Sequence, residues 1–281
     1  MRFAVGVVLY NPDATALLNV NSYIESFDDV YVYDNTENVE SYLYADLDSC
    51  VQYERNGRNM GLAYAYNHFV NRAATNNVDY LCTMDQDSVF SSRDIKIIKN
   101  YIYCHDMKHV GIVAPWVVWQ GNENERDSCN EKEEEWVISS GSFINLYEIG
   151  NITFDENYFI DRIDRDYCMQ LRENGKKIIM ISEAKLYQQL GDNVFKKHAV
   201  HSPIRHYYIC RNRLYYNAKF SKYCSRFASN IAQTAKQTVL VLLYEPQKLF
   251  KLRMIWFAIL DYINRKMGKI DSQRISNRIH K

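Results

Sequence analysis

Two aspartates, Asp85 and Asp87, lie one residue apart behind the apolar half of YLCTMDQDSVF, residues 80–90. Carboxylates at this spacing can share a divalent cation, and oxygen ligands suit Mg²⁺ or Mn²⁺, which usually keep waters and bridge phosphates. An Asp-x-Asp pair is also common by chance in solvated turns, so its place in the fold decides its meaning. Because this pair ends an apolar run with strand character, we predict a metal site at Asp85 and Asp87.

A second acidic group, made of Asp161, Asp164 and Asp166, follows the aromatic residues of NYFIDRIDRDYC. The pattern predicts a helix over residues 159–175 that ends at Gly175. Asp161 and Asp164 are three residues apart and would share one face near the start of that helix, which favours a role in a site. Asp166 fits a solvated first turn that complements the helix dipole. A carboxylate near a metal-bound diphosphate can remove a proton from an acceptor hydroxyl.

The elements that would position these acids alternate between strands and helices. Apolar runs predict strands at residues 3–10, 30–35, 50–56, 78–88, 109–119, 136–146 and 177–182, and helical spacing predicts helices at 14–27 and 60–74. This alternation is typical of an α/β fold with a mostly parallel, doubly wound sheet that has helices on both faces. Ligands of such sheets bind beyond the carboxyl ends of the strands.

Polar residues follow four of the predicted strands, at Tyr10–Asn11, Asp34–Asn35, Arg55–Asn56 and Asp85–Asp87. Because parallel strands end at the same edge of a sheet, we expect these four groups to converge on one site. No Gly-x-Gly-x-x-Gly follows the first strand, which disfavours a dinucleotide-binding Rossmann domain. The chain also has no Gly-Lys-Ser/Thr loop, and a P-loop is therefore excluded.

The 281 residues are 47% hydrophobic and carry 34 basic and 34 acidic side chains. This composition allows a sizeable core, and a zero net charge gives no general argument for nucleic-acid binding. Seven cysteines without a C-x-x-C pair are typical of reduced thiols in a cytosolic protein. The apolar N-terminal run is too short for a signal sequence, and no apolar stretch reaches the length of a membrane span. The 23 tyrosines suit sugar or base stacking, or reflect composition bias.

The chain changes character towards its C-terminal end. Residues 204–270 are predicted to be mainly helical, and basic residues adjoin the aromatic pair Trp256 and Phe257. We predict a sheet domain over residues 1–215 and a helical region over residues 216–281. Two interpretations of the helices stay open: they pack on the main domain, or they contact the inner membrane surface or a second copy of the chain.

Eight stretches, in this order, resemble the glycosyltransferase family 2 enzymes with the GT-A fold, and more closely their rhamnosyltransferase-like subgroup of bacterial O-antigen and capsule synthesis. They are VVLYNPD (7–13), VYDN (32–35), NMGLAYAYNHFVNRA (59–73), DYLCTMDQDS (79–88), ISSGSFINL (138–146), FIDRIDRDYC (159–168), HSPIRHYYICRNRLYY (201–216) and ILDYINRKMGK (259–269). The resemblance implies inverting transfer of a sugar, with L-rhamnose from dTDP-rhamnose as the best guess, to an acceptor saccharide hydroxyl. It also implies Mg²⁺ or Mn²⁺, a lipid-linked oligosaccharide acceptor, and a cytoplasmic location that is peripheral to the inner membrane face.

The resemblance further implies roles for individual residues. Asp164 would be the catalytic base. The donor nucleotide and its phosphates would be bound by Tyr10, Asn11, Asp34, Arg55, Asn59, Gly61, Asn67, Asp85, Arg205, Tyr208 and Arg211. The acceptor or donor sugar would contact Ser140, Gly141 and Asp161, and the metal would be held by Asp85 and Asp87.

One departure from the subgroup concerns Gln188, which stands where a histidine often helps to bind the metal or diphosphate. An amide is a poorer metal ligand than imidazole, so the strength of metal dependence stays open. Two alternative functions also stay open. The first is a galactosyl- or glucosyltransferase of the same fold that uses a UDP-sugar, and the second is a non-catalytic nucleotide-sugar-binding protein.

Overall fold

The computed structural model describes residues 1–37, 47–119, 130–188, 194–195, 198–221 and 223–271. The chain packs into two compact units. The sheet unit comprises Met1–Phe154 and Asp164–Gln189, and the helical unit comprises Asp155–Ile163 and Leu190–Lys281. Packing thus divides the chain near residue 190, whereas the predicted boundary after residue 215 falls inside one helix, Pro203–Phe220.

Within the described residues, nine strands form the sheet of the sheet unit. They are β1 (Phe3–Leu9), β2 (Asp29–Asp34), β3 (Val51–Arg55), β4 (Tyr80–Asp85), β5 (Ser88–Phe90), β6 (Val110–Trp119), β7 (Glu131–Glu133), β8 (Ser142–Asn145) and β9 (Lys177–Gln188). The order is β3-β2-β1-β4-β8-β6-β9-β5, and β7 pairs with β9. The pairs among β3, β2, β1 and β4 are parallel, as is β6 with β9, whereas β8, β5 and β7 pair antiparallel. The predicted α/β fold with a central sheet is confirmed, and the described sheet is mixed, with four parallel and four antiparallel strand pairs.

Five described helices alternate with these strands along the chain, and a short 3₁₀ turn at Ile24–Ser26 follows the first of them. They are α1 (Ala14–Tyr23), α2 (Leu62–Thr75), α3 (Ser92–Cys104), α4 (Leu146–Ile149) and α5 (Ile163–Glu173). α1 begins after Asp13, whose side chain accepts a hydrogen bond from the Ala16 backbone N–H at 2.8 Å. α3 begins after Ser91, which accepts from the Asp94 N–H at 3.1 Å. Each cap satisfies a backbone donor that a helix start leaves without an intrahelical partner.

The core of the sheet unit forms around β1, all seven residues of which are buried. Leu17 and Val20 of α1 and Ile95 and Ile98 of α3 belong to the same apolar cluster. Burial of such side chains removes apolar area from water and is the main favourable term in folding. The core therefore holds the strands in register, and their polar carboxyl ends lie at its edge.

The helical unit consists of α6 (Pro203–Phe220), α7 (Tyr223–Tyr244) and α8 (Lys248–Ile263), with a two-stranded pair of β10 (Val194–Phe195) and β11 (His198–Ala199). Its apolar cluster includes Tyr207 of α6, Val241 of α7, and Met254 and Ile255 of α8. The predicted mainly helical character of residues 204–270 is confirmed. No helix in the described part of the chain is long and apolar enough to cross a membrane.

Two predicted elements are shorter than expected. The strand predicted at 136–146 is only β8, because Gly141 before it adopts a φ of +79°. The helix predicted from residue 159 begins at Ile163, because Asp161 and Arg162 have φ values of +63° and +71°. Asp161 and Asp164 therefore do not share a helix face, and that expectation was wrong. The sequence analysis also did not predict α3, α4, β5 or β7.

Candidate active site

The loops after β1 and β4 are joined by the side-chain amide of Gln86. It accepts a hydrogen bond from the Tyr10 backbone N–H at 2.8 Å and donates one to the Tyr10 carbonyl at 3.1 Å. The sheet register pairs the end of β1 with Asp34 of β2 and Asp85 of β4, and Asp34 with Arg55 of β3. The expected convergence of the four strand ends is confirmed. Tyr10 keeps 47% of its surface exposed, which leaves area for stacking on a ligand ring.

Asp34 is buried at the end of β2 and organises the turn that follows. One carboxylate oxygen accepts from the Thr36 backbone N–H and the other from the Tyr53 hydroxyl, both at 2.8 Å. The Thr36 hydroxyl accepts from the Asn11 N–H at 2.7 Å. Asn11 and Asp34, both predicted to bind the nucleoside, thus belong to one hydrogen-bonded network that joins the loops after β1 and β2 through Thr36.

The turn that starts α2 is tied to the same edge through Asn35. The Met60 N–H donates to the Asn35 side chain at 2.9 Å, and the Asn35 amide donates to the Gly61 carbonyl at 3.2 Å. The Gly61 N–H in turn donates to the Asn59 side chain at 3.0 Å. Gly61 has a φ of +88°, a conformation that glycine adopts without a Cβ penalty. Asn59 and Gly61 therefore lie beside the strand ends.

Asn67, which was predicted to border the nucleotide sugar, forms two hydrogen bonds with the backbone of Phe154. Its side chain donates to the Phe154 carbonyl and accepts from the Phe154 N–H, each at 2.9 Å. These bonds satisfy both backbone groups of Phe154. They give Asn67 a structural role, because it fixes Phe154 against α2.

Asp85 lies within an acidic cluster at this edge. It accepts hydrogen bonds from the Tyr66 hydroxyl at 3.2 Å and from the Gln188 side-chain amide at 3.4 Å. Burial, reinforced by the charges of Asp87 and Asp164, raises the pKa of Asp85 to about 7. Burial, followed by the charges of Asp85 and Asp164, raises the pKa of Tyr66 well above its usual value. A cation at this position would stabilise the ionised form of Asp85.

The donor set at this edge fits a hard divalent cation. Asp85 and Asp87 offer carboxylate oxygens, and the buried Oε1 of Gln188 has no hydrogen-bond partner within the described residues. A buried oxygen left unsatisfied beside a carboxylate is a group that a cation would satisfy. The described residues contain no group of three His, Cys, Asp or Glu side chains able to hold an ion. Water and phosphate oxygens would therefore complete the coordination of Mg²⁺ or Mn²⁺.

Ser140 and Gly141 pack the wall behind the acids. The Ser140 hydroxyl accepts from the Asp85 backbone N–H at 3.0 Å and lies 2.7 Å from the Ser88 hydroxyl. The Gly141 N–H donates to the Thr83 carbonyl at 2.8 Å. A Cβ at Gly141 would lie 2.9 Å from the Pro115 ring, so both space and the positive φ require glycine. Ser140 and Gly141 thus have packing roles in the structure, and their contacts with a sugar stay predictions.

Asp164 lies in the first turn of α5 and is oriented by Ser139. The Ser139 backbone N–H donates to one Asp164 oxygen at 3.2 Å, and the Ser139 hydroxyl donates to the same oxygen. The charge of Asp164 contributes to the raised pKa of Asp85, which puts the two acids in one electrostatic cluster. A carboxylate with a fixed orientation in the same cluster as the candidate metal ligand Asp85 has the placement that a general base needs.

Asp166 was expected in a solvated turn, and this expectation was wrong. Its side chain is 1% exposed and accepts a hydrogen bond from the Gln170 amide at 2.6 Å. Gln170 also donates to the Thr153 carbonyl at 3.3 Å. Asp166 is therefore a buried, hydrogen-bonded residue of α5.

The remaining predicted site residues belong to the helical unit. Arg205 of α6 pairs with Asp161 at 3.6 Å, and burial raises the pKa of Asp161 while Arg205 opposes that rise. Arg211 is 1% exposed, lies over the rings of Tyr207 and Tyr208, and donates to the Tyr207 hydroxyl at 3.1 Å. Tyr208 accepts from the Ile270 N–H at 2.8 Å. Arg211 and Tyr208 are interior residues of this unit, and their predicted contacts with a diphosphate stay predictions.

Three residues received no individual role in the sequence analysis: Tyr66, Gln86 and Ser139. Tyr66 and Ser139 each donate to a predicted functional acid, and Gln86 joins two strand ends. Gln86 lies between Asp85 and Asp87, and Ser139 lies next to Ser140, so adjacency was an available signal for both. Tyr66 had no such signal among 23 tyrosines.

Comparison with known proteins places the chain. The family described as Glycosyl transferase family 2 matches residues 6–167, which is more than half of the chain. The chain belongs to glycosyl transferase family 2. The matched range runs from β1 to α5 and includes Asp85, Asp87 and Asp164. The protein is therefore a nucleotide-sugar-dependent glycosyltransferase, as the sequence motifs predicted.

Individual relatives agree with the family. The dTDP-rhamnosyl transferase RfbF of Shigella flexneri is 27% identical over 235 residues, which are 73% of this chain and 76% of that protein. The structure of S. aureus TarS 1-349 in complex with UDP-GlcNAc aligns with a TM-score of 0.56 at 16% identity, over 94% of this chain and 81% of that one. The structure of GalNAc-T7 with UDP, GalNAc and Mn²⁺ aligns with a TM-score of 0.56 at 11% identity, over 93% and 57% of the two chains. At these identities the structural matches concern the fold, and the predicted GT-A fold is confirmed.

Proposed function

We propose that this glycosyltransferase transfers L-rhamnose from dTDP-rhamnose, with inversion, to a hydroxyl of an acceptor saccharide. The observation that carries the chemical part is Asp164, a carboxylate held by Ser139 in the same acidic cluster as Asp85. The choice of rhamnose is supported by the dTDP-rhamnosyl transferase relative and by the motifs of the rhamnosyltransferase-like subgroup.

In the proposed reaction, Asp164 takes the proton of the acceptor hydroxyl as the oxygen attacks the anomeric carbon. The bond from that carbon to the diphosphate breaks, and the nucleoside diphosphate leaves from the opposite face. Ser139 keeps the Asp164 carboxylate aligned with this path. Tyr10, Asn11 and Asp34 would bind the nucleoside at the ends of β1 and β2, and Arg55 would lie within reach of phosphate at the end of β3.

Asp85 and Asp87 would hold the divalent cation, and Gln188 would contribute its amide oxygen. When bound, the cation would stabilise the negative charge that grows on the leaving diphosphate. Support comes from the chemistry of the donor set and from the relative GalNAc-T7, whose structure was solved with Mn²⁺. In the helical unit, Arg205 is the exposed cation of the predicted phosphate set.

For the acceptor we propose a lipid-linked oligosaccharide of O-antigen or capsule synthesis at the cytoplasmic face of the membrane. The support is the resemblance of the motifs to that subgroup, and the cysteine pattern, which is typical of a reducing compartment. A homodimer is an additional expectation that rests on the sequence alone.

The proposed donor is tested by a panel of dTDP-rhamnose, UDP-galactose, UDP-glucose and a GDP-sugar, each with Mn²⁺, Mg²⁺ or EDTA. Binding is read by calorimetry and donor hydrolysis by released nucleotide. We expect the tightest binding and the fastest hydrolysis with dTDP-rhamnose, both dependent on the metal. Preference for a UDP-sugar would instead support the galactosyl- or glucosyltransferase alternative.

The same panel distinguishes an enzyme from a non-catalytic nucleotide-sugar-binding protein. The latter would bind a donor without hydrolysing it, and Asp164→Asn would change neither measurement. Asp164 argues for the enzyme, because a protein that only binds a donor would use the metal ligands Asp85 and Asp87 but would gain nothing from a third carboxylate that opposes the ionisation of Asp85.

A further inference from the structure

The outer faces of α7 and α8 expose large apolar side chains, which we name the C-terminal apolar face. Six of its members keep more than half of their surface in solvent: Phe227, Ile231 and Leu243 on α7, and Leu249, Trp256 and Ile263 on α8. Their exposed fractions run from 55% to 85%. Single exposed apolar residues need no explanation, but a set that follows two consecutive helices marks an interaction surface.

The pattern along α8 makes the point most clearly. Met254 and Ile255 face the interior of the helical unit and are buried. Leu249, Trp256 and Ile263 follow one another at intervals of seven residues, which is two helical turns, and therefore lie on a common outer face. α8 is thus apolar on both its inner and its outer face. A helix of this kind is normally covered on all sides, so its outer face calls for a partner.

Charge indicates which partner fits. Between residues 223 and 269 the acidic residues are Glu245 and Asp261, and both are buried. Basic side chains on the same segment, such as Lys236, Lys248 and Arg265, are exposed. The exposed side of this segment therefore combines apolar area with positive charge, and carries no exposed acid within the described residues.

A second copy of the chain fits this surface poorly. A two-fold interface brings the same patch of both copies together, so the basic residues would face each other without an acidic partner. An anionic bilayer offers an acyl region for the apolar residues and negatively charged head groups for the basic residues. We infer that α7 and α8 lie in the interface of an anionic lipid membrane, with Trp256 and its neighbours at the acyl boundary and the lysines at the head groups.

This surface is independent of the donor sugar and of the reaction proposed above, and it is tested without either. The full chain is sedimented with vesicles of phosphatidylcholine, with and without phosphatidylglycerol. We expect binding to vesicles that contain phosphatidylglycerol, and weaker binding in high salt. The double variant Leu249→Ser, Trp256→Ser should lower the lipid partition coefficient by at least roughly tenfold, because it removes two large side chains from the apolar face.

Two charge reversals and one control variant make the test specific. Lys236→Glu and Lys248→Glu should each reduce binding to anionic vesicles by about fivefold or more, because each replaces an attraction to the head groups by a repulsion. Leu18→Ser with Tyr147→Ser is the matched control, because both residues are exposed, at 68% and 89%, but belong to the sheet unit. This control should bind vesicles as the unmodified chain does.

The inference would be overturned by absence of vesicle binding by the unmodified chain, by equal loss in the control variant, or by binding that does not depend on lipid charge. A dimer in light scattering that the Leu249→Ser, Trp256→Ser variant converts to monomer would show that the face joins two copies instead. Circular dichroism and donor hydrolysis in vesicle-free solution accompany each variant. They separate a lost membrane contact from lost folding and from failure of the proposed reaction.

Discussion

Asp85 of the sheet unit and Glu245 of the helical unit are two carboxylates with opposite electrostatic surroundings. In the sheet unit, Asp85 receives its hydrogen bonds from a neutral hydroxyl and a neutral amide, and burial together with neighbouring acids raises its pKa to about 7. In the helical unit, Glu245 is buried between Lys251 at 2.6 Å and His206 at 2.9 Å. The first carboxylate lacks charge compensation from its bonded partners, whereas the second is compensated by its own chain. The difference is that the charge of Glu245 is balanced by Lys251 within the fold, whereas the bonded partners of Asp85 leave its charge unbalanced.

The two regions also differ in how far their apolar side chains are buried. The sheet unit buries β1 along its whole length, while the helical unit leaves Leu249 and Trp256 exposed on α8. In the functions that we propose, a cation balances the charge of Asp85 and a membrane covers the outer face of α8. Substitution of Asp85 tests the first proposal, and substitution of Leu249 and Trp256 tests the second.

The largest expected effect is on Asp164. Asp164→Asn keeps the oxygen that accepts from Ser139 but removes the base, so transfer should fall by roughly two to four orders of magnitude while donor affinity is kept. Single-turnover kinetics and calorimetry measure the two quantities. Asp106→Asn, a surface substitution, is the control and should be neutral. Unimpaired transfer by Asp164→Asn would remove Asp164 from the chemistry.

The next largest effect concerns the compensated acid. Glu245→Ala leaves Lys251 buried without its carboxylate and should lower the free energy of unfolding by about 3–5 kcal/mol. Glu133→Ala, which truncates an ion pair of 3.6 Å whose side chains are 56% and 59% exposed, should change it by no more than about 0.5 kcal/mol. Urea denaturation measures both. Equal effects would erase the distinction between the buried pair and the surface pair.

A smaller effect, of opposite sign, is expected at Asp85. Because the pKa is raised in the folded state to about 7 from an ordinary value of 3.8, the folded state keeps a proton that the unfolded state releases. Metal-free stability should therefore fall as the pH rises from about 4 to about 7, and stay low above that range. Asp85→Asn removes this penalty and should be more stable than the unmodified chain at about pH 8, by on the order of 2–4 kcal/mol.

Urea denaturation in EDTA at about pH 8 and about pH 5 tests the Asp85 prediction, and the gain should shrink at the lower pH. Added Mn²⁺ should stabilise the unmodified chain and leave the variant unchanged. A gain that is independent of pH would mean that charge repulsion at Asp85 is not its cause.

The smallest effect sharpens the metal site. Gln188→His places an imidazole where the amide now donates to Asp85, and should raise Mn²⁺ affinity by roughly tenfold. Titration calorimetry with Mn²⁺ alone measures it. Gln52→His, on β3, is the control because Gln52 contacts Arg72 instead. Unchanged Mn²⁺ affinity in Gln188→His would place the ion away from residue 188.

The strand ends were predictable because the signal is local. Apolar runs that stop at Tyr10, Asp34, Arg55 and Asp85 define strands by their own composition, and parallel strands must end at one edge. The motif order also indicated the family, since each motif is short and continuous. The helix start before Asp164 was not predictable in the same way. Asp161 has a positive φ that its residue type does not require.

Burial and partners at a distance were beyond local patterns. Asp166 has the composition of a solvated turn, yet it is buried and bonded to Gln170. Gln188 reaches Asp85 across 103 positions of the chain, and Tyr66 reaches it across 19. No spacing rule links such residues, because the sheet order and the packing of α2 bring them together.

The sequence by itself determined the α/β alternation, the family, and the acids at the strand ends, because each depends on residue types within a few positions of one another. The tertiary structure decided which acids share one electrostatic cluster, which are neutralised within the fold, and which face of α8 lies open. Those outcomes depend on burial, and burial is a property of the packed chain, which no stretch of sequence carries alone.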